Sequence, residues 1–223
     1  MVKAVIFDMD GLILDTEKLL VKYWCQAANE FGFPMQQCHA LNIRSLARKF
    51  AIPYLQGVFG EGFDYVRIRN RRMELMNEHI AQYGIETKAG VTELLDYLSL
   101  CGIPAAIATA TDYERTQSYL GRVGLFDRFD RIVCASMVES GKPKPDIYLY
   151  AAAQLGLAPD ECVALEDSPN GVRSASGAGC ITIMVPDLTP PDDEMLGLAY
   201  GCVESLADVV PVIEGLRTDS LCR

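Results

Sequence analysis

Residues 2–17 read VKAVIFDMDGLILDTE, an apolar run that ends at two aspartates separated by one methionine. The run KAVIFD is short and almost continuously apolar, which is typical of a parallel strand that is covered on both faces. Asp8 and Asp10 lie where this strand ends, and Gly11 allows the chain to turn there. Because neighbouring carboxylates repel each other, two of them at the end of a buried strand require a compensating charge.

Four further segments have the same apolar pattern, at 103–109, 131–135, 162–167 and 180–185. Helical patterns lie between the later strands, in VTELLDYLSLCG, TDYERTQSYLGRVG and KPDIYLYAAAQLG. Thr111 and Glu114 form the pattern of a capping box, while Pro145 and Gly156 suit the start and stop of the next helix. The alternation predicts an α/β fold, a Rossmann-like parallel sheet with right-handed crossovers. A short strand or turn near CVESL and a final helix, ADVVPVIEGL, follow.

The first two predicted strands are separated by residues 9–102, far more than one crossover helix needs. Residues 16–86 contain only helical patterns, in EKLLVKYWCQAANEFG, SLARKFAIPYLQGVFG and FDYVRIRNRRMELMNEHIAQYG. We therefore predict an α/β core of residues 1–15 and 87–223, with residues 16–86 inserted as an all-helical cap domain.

Composition excludes several classes of protein. The formal net charge of −10 argues against binding to nucleic acids or anionic membranes. No apolar run approaches the ~20 residues that span a bilayer, and the N-terminal run is too short for a signal peptide. The eight cysteines are scattered without a C-x-x-C pair, which favours reduced cysteines and a cytoplasmic location. A monomer is the default expectation.

Polar residues follow the predicted strands at the edge where open parallel sheets bind their ligands. The second strand ends in Thr109–Thr111, the fourth in Glu166–Ser168, and Lys142 follows the third. Several carboxylates at one edge would raise one another's pKa values unless a cation lay between them. Mg²⁺ prefers carboxylate, carbonyl and water oxygens, and with Lys142 it would attract a phosphate. The sequence thus predicts a magnesium site and a phosphate site at this edge.

These motifs, in this order, strongly resemble the haloacid dehalogenase superfamily of phosphotransferases. The similar segments are D-x-D-G in FDMDG, the strand-terminal threonine in IATAT, the lysine in GKPKPD and the acidic pair in LEDSPNG. The last two are similar to the forms in the subgroup that contains β-phosphoglucomutase and small-molecule phosphatases. The resemblance covers essentially the whole core, and the helical insertion lies where related proteins carry their cap.

The resemblance implies a role for each motif residue in the reaction. Asp8 would be the nucleophile that attacks phosphorus and forms an aspartyl-phosphate. Asp10 would protonate the leaving alkoxide and then deprotonate the attacking water. Thr109, Ala110 and Lys142 would bind the transferring phosphoryl group, whereas neighbouring Lys144 is interpreted as a surface residue.

The resemblance also implies Mg²⁺ as the cofactor. Its ligands would be the Asp8 carboxylate, the Asp10 backbone carbonyl and Asp167. Glu166 would belong to the metal site through a bridging water, or serve only as a structural acceptor. Ser168 is interpreted as the cap of the following helix.

The predicted cap is rich in basic residues, namely Arg44, Arg48, Lys49, Arg67, Arg69, Arg71 and Arg72. Most of them are interpreted as an ordinary solvated helix face. Arg44, in LNIRSL, lies roughly where related caps place a substrate-facing loop. Arg44 is therefore a candidate for substrate contact, as are Glu17 and Lys18 at the entry to the first cap helix.

We therefore predict a Mg²⁺-dependent phosphatase that hydrolyses a small phosphate monoester, a sugar phosphate or similar metabolite. A phosphosugar mutase like β-phosphoglucomutase is the alternative. It is weakened because DTEKLLVKYW lacks the histidine, and HALNIRSLARKF the glycine, of the mutase branch. A non-catalytic metal- or phosphate-binding module is the second alternative, which the presence of every expected catalytic residue type disfavours.

Overall fold

The computed structural model describes residues 2–219 and contains a sheet of parallel strands in the order β3-β2-β1-β4-β5-β6. The strands are β1 Ala4–Phe7, β2 Ala105–Thr109, β3 Arg131–Cys134, β4 Cys162–Glu166, β5 Ile181–Met184 and β6 Gly201–Cys202. The five predicted strands are confirmed, each within its predicted range, and the short sixth begins just before CVESL. The predicted α/β class is therefore confirmed.

Helices connect the strands and cover both faces of the sheet. The α-helices are α1 Glu17–Glu30, α2 Gln37–Asn42, α3 Arg48–Phe59, α4 Tyr65–Tyr83, α5 Val91–Leu100, α6 Tyr113–Arg122, α7 Asp146–Gln154, α8 Pro169–Gly177, α9 Asp193–Leu198 and α10 Val209–Asp219. Short 3₁₀ turns occupy Phe126–Arg128, Ala135–Met137, Pro159–Glu161 and Leu206–Asp208. No helix within residues 2–219 has both the length and the apolar character needed to cross a membrane.

Strand β1 lies in the centre of the sheet, between β2 and β4. Its alternate residues face opposite sides, as the two-residue period of a strand requires. Ala4 and Ile6 pack in the hydrophobic cluster that includes α7. Val5 and Phe7 pack in the larger hydrophobic cluster, which includes α5 and residues of the cap helices α1–α4. Phe7 pairs in register with residues of both neighbours. The carboxyl end of β1 therefore lies at the point where the strand order reverses, which is where such sheets bind ligands.

Helices α1–α4 form the insertion between β1 and β2. Helix α1 packs against α4, and the Trp24 and Tyr65 rings have centroids 5.4 Å apart across this contact. Helix α2 was not predicted, because six residues are too few to show a helical period. The helices of the insertion begin at Glu17 and end at Tyr83, inside the predicted range 16–86. That range remains a prediction for the boundaries of the cap domain.

The predicted start of α6 is wrong. The residue that caps α6 is Asp112, whose side chain accepts a hydrogen bond from the Arg115 backbone N–H at 3.1 Å. The Thr111 hydroxyl instead donates a hydrogen bond to Asp10. By contrast, Ser168 caps α8 as predicted and accepts from the Gly171 N–H at 3.2 Å. The seven cysteines within the described chain are free, as predicted, while Cys222 lies outside it.

Candidate active site

A cavity of about 120 Å³ lies between the carboxyl edge of the sheet and the cap helices. Asp8, Asp10, Thr109 and Ala110 line it from the core. The cap side is lined by Glu17, Leu20, Val21, Trp24, Ala40, Ile43, Arg44, Ser45, Leu46, Tyr65, Arg69 and Arg72. Residues from the ends of β1 and β2 are thus brought together with cap residues around one cavity.

Asp8 is the first residue after β1 and is only 2% exposed. Its Oδ1 accepts a hydrogen bond from Lys142 Nζ. Its Oδ2 is buried and has no hydrogen-bond partner within residues 2–219. Burial raises the pKa of Asp8 well above its ordinary value, Lys142 opposes this rise, and Glu166 and Asp167 add to it. One oxygen of Asp8 is therefore free to react or to bind a cation.

Two threonine hydroxyls hold the carboxylate of Asp10. Thr16 Oγ1 donates to Oδ1 at 2.6 Å, and Thr111 Oγ1 donates to Oδ2 at 2.7 Å. Gly11 follows with φ of +89°, a conformation that favours glycine, and its missing side chain leaves room for the Asp167 carboxylate. Neither Thr16 nor Thr111 was predicted from the sequence as a site residue. Only the position of Thr111 two residues beyond Thr109 could have suggested its part.

Thr109 and Ala110 lie at the end of β2, as predicted. Thr109 is buried, and its Oγ1 accepts a hydrogen bond from the Thr111 backbone N–H at 3.0 Å. Because this oxygen acts as the acceptor, its hydroxyl proton remains available to a ligand. The two histidines of the chain, His39 and His79, do not line the cavity.

Lys142 is 1% exposed and is enclosed by acidic partners. Besides Asp8, it donates to Glu166 Oε1 at 2.6 Å, and Tyr148 donates to the same oxygen at 2.7 Å. Burial lowers the pKa of Lys142, but Asp8 and Glu166 outweigh that effect and raise the pKa overall. Tyr148 was not predicted as a site residue, because its segment shows only the pattern of a helix. Lys144 is exposed, as predicted.

Gly171 provides the space that the Glu166 carboxylate occupies. A Cβ atom at position 171 would lie 1.9 Å from the Glu166 carboxyl carbon. Glu166 cannot move aside freely, because Ser168 Oγ and the Asp167 N–H hold its Oε2 at 3.3 and 3.2 Å.

We expect Gly171→Ala to lower the free energy of unfolding by about 1–3 kcal/mol, the usual range for overpacking of a tight interior. The matched control is Gly177→Ala in the same helix, where the nearest atom to the added methyl group is Pro145 Cβ at 3.9 Å. The control gains helix propensity without a clash, so its stability should stay equal or rise slightly. Chemical denaturation measures both, and equal midpoints for the two variants would contradict the expectation.

The donor set at this edge fits a divalent cation. Ligand atoms of Asp8, Glu166 and Asp167 all lie within 4.8 Å of one another. Both oxygens of Asp167 are buried and lack hydrogen-bond partners in the described chain. Burial raises the pKa of Asp167 to about 7, which Arg44 opposes and Glu166 and Asp187 reinforce. Hard oxygen ligands with unused lone pairs are what Mg²⁺ prefers.

Two of the three cap candidates from the sequence, Arg44 and Glu17, are buried and line the cavity. Arg44 Nη2 donates to the Asp167 backbone carbonyl at 3.2 Å, and its Nη1 lies 3.5 Å from Asp167 Oδ2. Burial raises the pKa of Glu17 well above its ordinary value, Asp167 adds to this, and Arg44 opposes it. Lys18 instead forms surface ion pairs with Asp15 and Glu86. Arg44 therefore links the cap to the acidic edge of the core.

The interpretation of the other cap arginines as a solvated face is wrong for Arg72. Arg72 is 4% exposed, and Arg69 is partly buried, whereas Arg48 and Arg67 are exposed as expected. Arg69 and Arg72 are three residues apart on α4, so they share one face of that helix. The packing of the cap on the core turns this face towards the cavity. The local sequence pattern does not determine that packing.

Known proteins are similar to this chain over most of its length. The Haloacid dehalogenase-like hydrolase family model matches residues 5–185. The Phosphorylated carbohydrates phosphatase of Thermotoga maritima is 30% identical over 212 residues, covering 95% of this chain and 90% of its own. Hexitol phosphatase A of Escherichia coli (strain K12) is 33% identical over 196 residues, covering 86% and 88%. The crystal structure of β-phosphoglucomutase from Clostridium difficile superposes with a TM-score of 0.84 at 22% identity and full coverage of both chains, which shows a common fold.

Proposed function

The chain belongs to the haloacid dehalogenase-like hydrolases and acts on phosphate monoesters, and we propose that it is a Mg²⁺-dependent phosphatase of a small phosphorylated metabolite. The proposed reaction passes through an aspartyl-phosphate on Asp8. The observation that carries the proposal is the unpartnered, buried Oδ2 of Asp8 at the cavity, with Lys142 fixed on the other oxygen.

Asp8 attacks the substrate phosphorus through Oδ2. A bond forms between Oδ2 and phosphorus as the bond from phosphorus to the leaving alkoxide breaks. Lys142 stays on Oδ1, so the carboxylate presents its free oxygen to the substrate without rotating. Water then attacks the phosphorus of the intermediate, which releases inorganic phosphate and restores the Asp8 carboxylate.

Asp10 transfers the protons in both halves of the reaction. It gives a proton to the leaving oxygen, and in the second half it takes one from the attacking water. The hydroxyls of Thr16 and Thr111 hold one oxygen each, which orients the carboxyl group towards the cavity. A fixed donor loses little freedom when the substrate binds, which favours proton transfer.

The transferred phosphoryl group requires donors for its oxygens. Thr109 supplies its free hydroxyl proton, the Ala110 backbone lies at the cavity wall, and Lys142 contributes a full positive charge. Positioned donors of this kind stabilise the charge that develops in the transition state.

Mg²⁺ would be held by the Asp8 and Asp167 carboxylates and the Asp10 backbone carbonyl, where it would neutralise the charge between substrate phosphate and Asp8. The grouping of Asp8, Glu166 and Asp167 ligand atoms within 4.8 Å, and the two buried oxygens of Asp167 that lack hydrogen-bond partners in the described chain, support this assignment. Glu166 is better suited to a water-mediated contact, because Lys142, Tyr148 and Ser168 already donate to its oxygens.

The names of two relatives support a sugar phosphate or similar metabolite as the substrate. One is named a phosphatase of phosphorylated carbohydrates and the other a hexitol phosphatase.

A screen of small phosphate esters tests the proposed function. We expect the protein to release inorganic phosphate from at least one ester with Mg²⁺, to lose this activity in EDTA and to regain it with excess Mg²⁺. Interconversion of a sugar phosphate after priming with a bisphosphate, without net release, would support the mutase instead. Binding of Mg²⁺ without any turnover would support the non-catalytic module.

A further inference from the structure

Three arginines that have no part in the proposed phosphoryl transfer also line the cavity. Arg69 and Arg72 come from α4 of the cap, and Arg115 comes from α6 of the core. Their guanidinium groups meet across the boundary between cap and core. Three positive charges gathered at one cavity repel one another unless an anion lies between them.

Arg72 has no acidic partner. Its side chain forms no ion pair within residues 2–219, and its Nε lacks a hydrogen-bond partner. Its other contacts are with uncharged groups: Nη1 lies 3.8 Å from Met76 Sδ, and the guanidinium carbon lies 5.4 Å from the centre of the Trp24 ring. Burial, with smaller contributions from Arg115 and Arg69, lowers the pKa of Arg72 to about 10. A buried charge without a counter-charge is strongly unfavourable, which points to a missing anion.

The neighbouring arginines share a single carboxylate. Arg115 Nη2 lies 2.5 Å from Asp112 Oδ2, and Arg69 Nη2 lies 4.0 Å from the same oxygen. Two further polar atoms near Arg72, Arg115 Nε and the Tyr119 hydroxyl, are buried and unpartnered within the described chain. One half-exposed aspartate therefore lies near two of the three guanidinium groups, and Arg72 has no carboxylate of its own within the described chain.

The other basic groups of the site are already paired. Arg44 is engaged by Asp167, and Lys142 by Asp8 and Glu166. Of the acids that line the cavity, Asp10 and Glu17 form no ion pair with Arg72. The scissile phosphate has Lys142 and the proposed metal as its partners, so the arginines are left for a different anion.

We propose that the substrate carries a second anionic group, a carboxylate or a second phosphate, that binds Arg72 together with Arg69 and Arg115. The inference rests on the proposed function and narrows its substrate class. A guanidinium presents a rigid fork of donors that matches the oxygens of either group. Closure of the cap would then depend on this anion, because it neutralises charges that come from both domains.

Trp24 provides a direct measurement of binding. It is the only tryptophan of the chain, it lines the cavity, and Arg72 packs over its ring. We would titrate Asp8→Asn, which retains the cavity but cannot turn over, and follow the fluorescence of Trp24. The probes are matched pairs: 2-phosphoglycolate against ethyl phosphate, 3-phosphoglycerate against glycerol 3-phosphate, and fructose 1,6-bisphosphate against fructose 6-phosphate.

In at least one pair, we expect the member with a second acid group to bind about 10- to 100-fold tighter than the member without it, since hydrogen bonds to charged groups contribute about 1.5–3 kcal/mol. A preference in the first two pairs identifies a carboxylate, and one in the third identifies a phosphate. Adding Arg72→Met should abolish the preference, while weakening the binding of the member without the second acid group less than about threefold. Arg72→Lys in its place should retain part of the preference. The matched control Arg67→Met, on the exposed face of α4, should leave the preference intact.

Two results would overturn the inference. One is the absence of a preference in every pair, and the other is an equal loss of both pair members in Arg72→Met. Failure of the wild type to release phosphate from any ester would contradict the proposed function, while binding to Asp8→Asn would still decide the inference. Thermal denaturation of each variant establishes that the fold is retained.

Discussion

Asp8→Asn is expected to lower kcat for phosphate release by about 10⁴- to 10⁶-fold, the range seen when a covalent nucleophile is removed. The amide has the shape of the carboxylate but cannot attack phosphorus. Asparagine can still accept from Lys142, so the variant should remain folded, as circular dichroism and thermal denaturation would measure. KM should change far less than kcat, because the contacts with the phosphate remain.

The matched control for this variant is Asp127→Asn. Asp127 is exposed and lies outside the cavity, and the substitution makes the same chemical change. Its kcat should stay within about twofold of the wild type, as is usual for surface changes. Phosphate release by Asp8→Asn at more than one-hundredth of the wild-type rate would rule out Asp8 as the nucleophile.

Lys142→Met is expected to reduce both stability and activity. Removing one partner of a buried ion pair costs about 3–5 kcal/mol, because the other charge remains without compensation. Here the carboxylates of Asp8 and Glu166 would both lose the lysine. For a chain of this size the melting temperature should fall by roughly 10 °C. The catalytic efficiency kcat/KM for phosphate release should also fall at least about 100-fold, because a phosphoryl-binding charge is lost.

The pH dependence of this loss follows from the direction of the Asp8 pKa. Burial already raises the pKa of Asp8 in the folded protein, and the variant removes the lysine that opposes this rise. The Asp8 carboxyl then binds a proton in the folded state at a pH where it is ionised in the unfolded state. The stability of the variant therefore increases as the pH falls towards the pKa that Asp8 has in the unfolded chain. The difference in free energy of unfolding between the wild type and Lys142→Met should therefore be smaller at pH 5.5 than at pH 8.

Lys144→Met controls for the loss of a lysine in the same segment. Lys144 is exposed, two residues from Lys142, and no acidic group holds its side chain in the described part of the chain. Its melting temperature and kcat/KM should match those of the wild type. Equal effects of the two substitutions would show that the segment, and not the buried charge, accounts for the loss.

The core of the site could be predicted because local patterns located each part of it. Asp8, Thr109 and Glu166 each stand at or just after the end of a short apolar run. Parallel strands place their carboxyl ends at one edge, so knowing the strands was enough to bring these residues together. The choice of Lys142 over Lys144 required the family resemblance, since both lie on the connection after β3 and no local pattern distinguishes them.

The partners of these residues could not be predicted. Asp10 is held by Thr111, 101 positions away, and the same threonine also fits the pattern of a helix cap. Glu166 is held by Tyr148, which reads as an ordinary apolar position of α7. A hydroxyl can satisfy several local interpretations, and only the three-dimensional position of the carboxylate selects one of them.

The sequence by itself determined the sheet, the edge that carries the carboxylates, and the reaction class that those residues serve. The tertiary structure alone decided which cap residues reach the cavity. Arg67 and Arg72 belong to one basic segment of α4, yet one is exposed and the other lies buried against Trp24. The helical period relates the faces of α4 to one another, but the docking of the cap on the core determines which face meets the substrate. That docking depends on contacts between residues far apart in the chain.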